Sequence, residues 1–276
     1  MKDRLRIIFL GPTALIMGLL FFLPLLIVFF YSLLTRGAYG GVSAPLTLEN
    51  YRRVVDSLYL QIFWRSIWIA AVSTALCLLL GFPLALFIAR SKRRKLLLLN
   101  LVMLPFWTSF LIRTYAWMFL LRDTGLINTA LRSLHVIREP LPLLFNAGAV
   151  IVGLVYGYLP FMVLPLFASL EKLDPVLLDA AADLGARPWS SLRRVVIPLA
   201  KPGVIAGSLL VFIPCLGAYL TPDLMGGGKT VMMGNLVQNQ FTTARDWPFG
   251  SAVSLLLMAL VLAVMVFLRR RSEELL

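Results

Sequence analysis

Histidine occurs once in 276 residues, as His135, and cysteine twice, as Cys77 and Cys215. So few nitrogen and sulfur ligands exclude a His/Cys metal site, and two cysteines lying inside apolar runs indicate no disulfide framework. His135, with Arg132 and Arg138 nearby in a connecting stretch, reads as a surface histidine. Carboxylates are also scarce: 13 Asp and Glu stand against 26 Lys and Arg, and none falls in the middle of an apolar run. That leaves neither paired carboxylates for acid–base work nor a Ser/His/Asp arrangement for nucleophilic attack, and the chain is expected to be no enzyme and to hold no metal or cofactor of its own.

Charge of either sign is sparse, at 14% of residues, whereas 60% are hydrophobic, a balance that ordinary soluble domains do not carry. A membrane-crossing helix needs about 20 mostly apolar residues to cover roughly 30 Å of hydrocarbon. Six segments qualify: about 7–34, 66–89, 96–121, 143–169, 202–221 and 249–268. The sequence therefore predicts an all-α integral membrane protein with six transmembrane helices in a single domain over 1–276. Pro24, Pro83, Pro105, Pro160, Pro165 and Pro214 interrupt these segments, so bends are expected where neighbours re-satisfy the backbone. The first segment has a basic start like a secretory signal, but its apolar run is too long and no small-x-small site follows, so it is read as a retained helix.

The net charge of +13 suggests nucleic acid only until the positions of the cations are read. Lys2, Arg4 and Arg6 precede the first segment; Arg90, Lys92, Arg93, Arg94 and Lys95 crowd the turn between the second and third; Lys172, Arg187, Arg193, Arg194 and Lys201 lie between the fourth and fifth; Arg269 to Arg271 follow the sixth. Sixteen of the 26 basic residues thus fall on one side, which the positive-inside rule makes cytoplasmic, with both termini there.

The stretch GGKT, ending at Thr230, looks like the tail of a phosphate-binding loop. The full pattern G-x-x-x-x-G-K-[ST] places a glycine five residues before Gly228. Asp223 stands there instead, and the preceding FIPCLGAYLTPD reads as a span running into a turn. The match to a phosphate-binding loop is poor.

The connection from about 170 to 201 carries a full set of helix signals. Asp174 reads as N-cap, Pro175 as first helical residue and Gly185 as the stop. Ten residues between those caps make a rod about 15 Å long. Val176, Leu177, Ala180, Ala181 and Leu184 recur at helical spacing, with Asp179 and Asp183 one turn apart beside them. A second helical start is read at Arg187-Pro188, ending before Pro198. The small-residue face admits close approach of another surface; the alternative is a helix lying flat on lipid headgroups, which Asp179 and Asp183 disfavour at an anionic leaflet.

These residues resemble the loop motif of ABC-importer permeases, E-A-A, three residues, G, nine residues, I-x-L-P. Here Asp179-Ala180-Ala181, three residues, Gly185, nine residues and Val195-Val196-Ile197-Pro198 fit that spacing, with Asp for Glu and Val for Ile. LPFWTSFLIRTYAW (104–117), GLVYGYLPFMVLPLFASLEKLD (153–174), DLMGGGK (223–229) and RDWPFGSA (245–252) extend the likeness to the spermidine/putrescine type, beside opine, iron and thiamine systems. The resemblance implies a bacterial inner-membrane permease subunit that moves polyamines. It also implies a cytoplasmic coupling helix between spans 4 and 5, built from Asp179, Ala180, Ala181, Asp183, Leu184, Gly185 and Pro198. The implied partners are a second homologous permease, two cytoplasmic ATPase subunits that bind the ATP and magnesium, and an external substrate-binding protein. An ion-gradient transporter, the alternative from another class, displays inverted repeats and midplane ionisable residues, and neither is found.

A polyamine path calls for aromatic faces, since a cation over a ring gains about 0.5–2 kcal/mol. Phe106, Phe110 and Trp117 are expected on one face of span 3, Trp107 and Tyr115 on its flanks, and Tyr156 and Tyr158 within span 4; Asp223 is added at the outer end of span 5. Arg113 shares the Phe106/Phe110/Trp117 face, where an unpaired cation would repel this cargo. The second permease is therefore expected to supply most of the negative charge.

Overall fold

The computed structural model describes residues 2–91 and 93–273, with nothing described of the side chains of 2–9 and 267–273. Lys92 and the side chains of Lys2, Arg4, Arg6 and Arg269 to Arg271, all used in the orientation reading, lie outside the described residues.

In chain order the elements begin with α1 (Lys2–Ser32), a hairpin of β1 (Leu34–Arg36) and β2 (Val42–Leu46), α2 (Glu49–Val54), α3 (Ser57–Arg90), α4 (Lys95–Met103) and a 3₁₀ turn (Leu104–Trp107). There follow α5 (Phe110–Leu121), α6 (Leu126–Ser133), α7 (Ala147–Leu170), α8 (Pro175–Asp183), α9 (Pro188–Ser191), a π-helical stretch (Leu192–Val196) and α10 (Ile197–Leu199). The last are α11 (Lys201–Leu216), α12 (Leu220–Gly226), α13 (Met233–Phe241) and α14 (Trp247–Glu273). Four helical stretches are long and apolar enough to cross a membrane: Leu10–Ser32, Ser57–Arg90, Ala147–Leu170 and Trp247–Val266. Two bent pairs raise the number to six if each is one span: Lys95–Trp107 with Phe110–Ser133, at 87°, and Pro188–Leu199 with Lys201–Leu216, at 66°.

Four sequence expectations are corrected here. The segment 96–121 is not one rod: Pro105 sits in the 3₁₀ turn, Thr108 and Ser109 adopt extended ψ angles of 151° and 136°, and the Thr108 hydroxyl donates to the Pro105 carbonyl at 2.7 Å. Phe106 and Phe110 are therefore on different elements. The segment 202–221 ends early, α11 stopping at Leu216 before Gly217. The second helical stretch of the 170–201 connection runs through Pro198 to Leu199, because the wider π turn at Leu192–Val196 precedes the residue that lacks an N–H. The all-helical expectation also misses the antiparallel hairpin, in which Leu34 pairs with Leu46 and Arg36 with Val42. Its turn uses Gly40 and Gly41 at φ of 92° and 76°, a region open to glycine.

The chain packs as two compact units, Met1–Gln61 with Leu236–Leu262, and Ile62–Asn235 with Ala263–Leu276. In the first, Asp246 is 2% exposed. Its Oδ2 accepts from Arg53 Nη1 at 2.9 Å and its Oδ1 from the Phe249 N–H at 3.2 Å, so one carboxylate both pairs a cation and caps the first turn of α14. The Arg53 guanidinium also lies 4.1 Å from the Phe249 ring centroid. Burial works to lower the Arg53 pKa, but Asp246 and Tyr59 outweigh it and hold it above its ordinary value. A cation held above its unfolded value contributes stability that is complete below the unfolded pKa and lost only as pH rises through the folded one. That window is strongly alkaline, so the pair is constant across the neutral range. Asp246→Ala strands a half-buried guanidinium and removes the cap, and is expected to cost about 2–3 kcal/mol; protease cleavage of the 33–56 segment in purified protein should become correspondingly faster, and Arg53→Met, which keeps the cap but strands the more deeply buried carboxylate, should be comparably destabilising.

In the second unit α7 is the central element, with Ala149, Val150, Leu154, Met162, Val163 and Leu166 buried. It packs on α11 through small residues. A Cβ on Gly203 would lie 2.6 Å from both the Pro165 carbonyl oxygen and Ser169 Oγ, and one on Gly207 would lie 2.8 Å from Met162 Sδ. Close backbone approach of this kind is how helices associate where lipid removes the hydrophobic drive. Cys77 and Cys215 are free and buried.

Candidate docking helix and transit cleft

The second unit presents two candidate sites. The first is α8. Asp174 Oδ1 accepts from the Val176 N–H at 3.0 Å, Pro175 opens the helix, and Gly185 closes it at φ 79°. The Gly185 N–H donates to Ala182 O at 2.8 Å and the Ala186 N–H to Ala181 O at 3.0 Å, the paired bonds of a Schellman cap. Both ends of the helix are therefore satisfied within nine residues.

One face holds α8 to its own chain. Leu178 and Pro175 line a cavity of about 310 Å³ with Leu86, Leu170 and Val196 at the adjoining ends of α3, α7 and the π stretch. Lys95 Nζ and Glu171 Oε1, 2.7 Å apart, tie the basic turn to the end of α7 nearby. The opposite face is bare. Val176, Leu177, Asp179, Ala180, Asp183 and Pro198 are exposed, Ala181 is half-buried, Leu184 is 89% exposed and Trp189 in α9 is 72% exposed. Asp179 and Asp183 make no ion pair among the described residues. On α8 the expected residues Asp179, Ala180, Asp183 and Leu184 thus share one open surface, apolar at its centre and anionic at one edge, while Pro198 stands exposed on α10. Leu178 was not singled out in the sequence, though its position opposite Val176 and Ala180 on the helical wheel marks it.

The second site is a cleft of about 300 Å³ lined by Phe110, Tyr158, Pro214, Gly217, Ala218, Tyr219, Leu220 and Thr221. It lies where α11 ends at Leu216 and α12 begins at Leu220, so backbone as well as rings faces the space. Phe110 is set by α7: a Cβ on Gly157 would come within 3.2 Å of its ring. Of the path residues expected from sequence, the cleft gathers Phe110 and Tyr158. Trp117 and Tyr156 form a separate edge-to-face pair with centroids 5.5 Å apart, and Phe106 makes another with Phe161 at 5.3 Å. Trp107, 77% exposed, and Tyr115 stand on the outside, and Asp223 is exposed in the first turn of α12 without lining the cleft. Tyr219 and Thr221 are not among the expected path residues, since the predicted span runs on to 221 before its turn; Gly217 was the available signal for an earlier break. Asp223 follows the N-terminus of a helix and not a sheet strand, and Gly227, at φ 57°, caps that helix, which leaves GGKT a turn.

Residues 81–274 match the family model described as binding-protein-dependent transport system inner membrane component. The chain is 43% identical over 94% of its length to the spermidine/putrescine transport system permease protein PotB of Haemophilus influenzae, covering 91% of that protein. It is 44% identical over 92% of its length to PotB of Escherichia coli K12, covering 93% of it. Among solved structures, a chain of a bacterial alginate ABC transporter in complex with its periplasmic protein aligns with TM-score 0.81 at 14% identity, over 99% of this chain and 95% of that one. That likeness carries the fold alone.

Proposed function

The chain belongs to the family of binding-protein-dependent transport system inner membrane components, and on that premise we propose that it is the permease subunit of an ATP-driven importer of polyamines, spermidine and putrescine. The observation that carries the cargo is the 43–44% identity, over more than nine-tenths of the chain, to permeases of spermidine/putrescine systems. The protein spans the inner membrane several times. Counting each bent pair as one span gives six, with both termini in the cytoplasm and α8 between the fourth and fifth.

ATP hydrolysis belongs to a pair of cytoplasmic ATPase subunits, which hold the nucleotide and magnesium, while an external binding protein delivers cargo and a second permease completes the path. The chain needs no catalytic group: it supplies a wall and a lever. The wall is the Phe110, Tyr158 and Tyr219 cleft, whose ring faces stabilise an ammonium group shedding water without holding it as a carboxylate would. The lever is the face of Val176, Leu177, Ala180, Ala181, Leu184 and Gly185, with Asp179 and Asp183 meeting cationic groups on the ATPase.

Reconstituting the chain with these partners in proteoliposomes tests the assignment. Spermidine or putrescine, presented with the binding protein, is expected to stimulate ATP hydrolysis and accumulate inside; stimulation by a different solute and silence toward both amines would overturn it. Within that assay Phe110→Ala and Tyr158→Ala should each lower uptake by about 2- to 30-fold, the loss of one cation–ring interaction. Trp107→Ala and Tyr115→Ala, off the cleft, should stay within about twofold; the reverse ranking would place the path elsewhere.

A further inference from the structure

Arg113 stands one aromatic ring away from the transit cleft. Its guanidinium carbon lies 5.5 Å from the ring centroid of Phe110, a cleft residue, and 5.9 Å from that of Phe106, so both rings already attract a cation of the chain itself. Its Nε and Nη1 atoms are inaccessible and make no hydrogen bond, which closes them to an anion from outside as well. The ion pairs among the described residues, Arg53–Asp246 and Lys95–Glu171, use other cations. The residues lining the cleft include no carboxylate, Asp223 standing outside it. A guanidinium does not give up its proton in proteins, so an uncancelled positive charge sits behind the Phe110 wall.

An unpaired cation within a span is costly and marks function by default. Its effect on cationic cargo follows from distance. An ammonium stacked on a ring lies within about 6 Å of the centroid, so one held by Phe110 is at most about 12 Å from the Arg113 guanidinium carbon. At an effective dielectric of about 20, a like charge at that separation weakens binding about tenfold, and more when closer. We propose that Arg113 is an electrostatic barrier built into the transit wall, whose charge, acting across Phe110, stops the cleft from retaining cationic cargo and lets an amine pass without stalling. Fixed cations lining other membrane paths exclude cations by the same physics. Arg113 touches no cargo in this role; it sets how weakly the rings hold it. The inference rests on the cationic cargo proposed above.

The test is equilibrium binding of radiolabelled spermidine to the detergent-purified complex without binding protein or ATP, set beside uptake in proteoliposomes with both. Arg113→Met is expected to bind spermidine about tenfold more tightly than wild type, and to take it up more slowly because cargo lingers. Arg113→Gln, also neutral, is expected to behave alike, and is read alone if the methionine variant does not accumulate. Arg113→Lys keeps the charge and should stay within about threefold of the wild-type affinity, and Arg122→Met, which removes an exposed cation just past the end of α5, within about twofold. Unchanged or weaker binding by the neutral variants would overturn the proposal. So would an equal gain in Arg113→Lys, which would mark packing and not charge, or uptake at the wild-type rate by a variant that binds tenfold more tightly. The two readings fail separately. A wild-type complex that transports polyamines, with no affinity gained by the neutral variants, refutes the barrier alone; a gain in spermidine affinity within a complex that transports a different solute and no amine refutes the cargo assignment alone.

Discussion

Gly185→Asp is expected to abolish polyamine uptake, by tenfold or more, in a protein that accumulates in the membrane at normal levels, with the ATPase subunits still hydrolysing ATP but no longer responding to loaded binding protein. Gly185 holds φ at 79°, yet a Cβ built there meets no atom of the chain. The cost within the chain is only the left-handed backbone, about 1–2 kcal/mol for a residue with a side chain and less for Asp or Asn. Helix α8 should therefore survive. What the added carboxylate disturbs is the exposed surface at the end of the helix, where Leu184 and Ala181 would meet the ATPase, and where a third negative charge joins Asp179 and Asp183. Gly185→Asn separates the two causes, since Asn tolerates the left-handed region and adds bulk without charge. Uptake by Gly185→Asn is expected to fall between wild type and Gly185→Asp. Hydrolysis rates with and without binding protein, set beside uptake in the same vesicles, check this; coupled, near-normal transport by Gly185→Asp would remove α8 from the docking role.

The other large effect belongs to folding. Gly203→Val should reduce the membrane-inserted subunit to under a tenth of the wild-type level, because the new Cβ would sit 2.6 Å from the Pro165 carbonyl oxygen, and a backbone atom of the central helix cannot rotate away. Overpacking costs about 1–3 kcal/mol where side chains can yield; here the obstacle is main chain in the element around which the second unit is built. Gly217→Val serves as the control, since a Cβ there has open space. Quantitative immunodetection of extracted membranes reads both variants, and equal abundance would mean that α7 and α11 part without cost.

The fate of each sequence expectation follows how local its cause is. The caps of α8 depend on Asp174, Pro175 and Gly185, all within one short segment, and the helix bounds they imply are within a residue of those found. Burial direction depends on neighbours far along the chain, so the inward role of Leu178 against Leu86 and Leu170 was open to a helical wheel but not to capping rules. The break at Thr108–Ser109 and the early end of α11 were not legible from hydropathy, because neither interrupts the apolar run that defines a span. Pro105 and Gly217 mark both places, yet membrane helices tolerate such residues without breaking. The cleft inherits that uncertainty, taking Phe110 and Tyr158 from long helices and Tyr219 and Thr221 from beyond a break. Arg113 was visible as an anomaly from its residue type alone, while its two flanking rings required the bend that brings Phe106 back toward α5.

A nine-residue helix is too short to hold itself together in water. Closed by Asp174 at one end and the Gly185 bonds at the other, and seated on Leu178, α8 is already rigid before anything grips it. In the docking role proposed above, engagement would surrender little conformational freedom. A disordered peg of the same residues would stretch before it pulled.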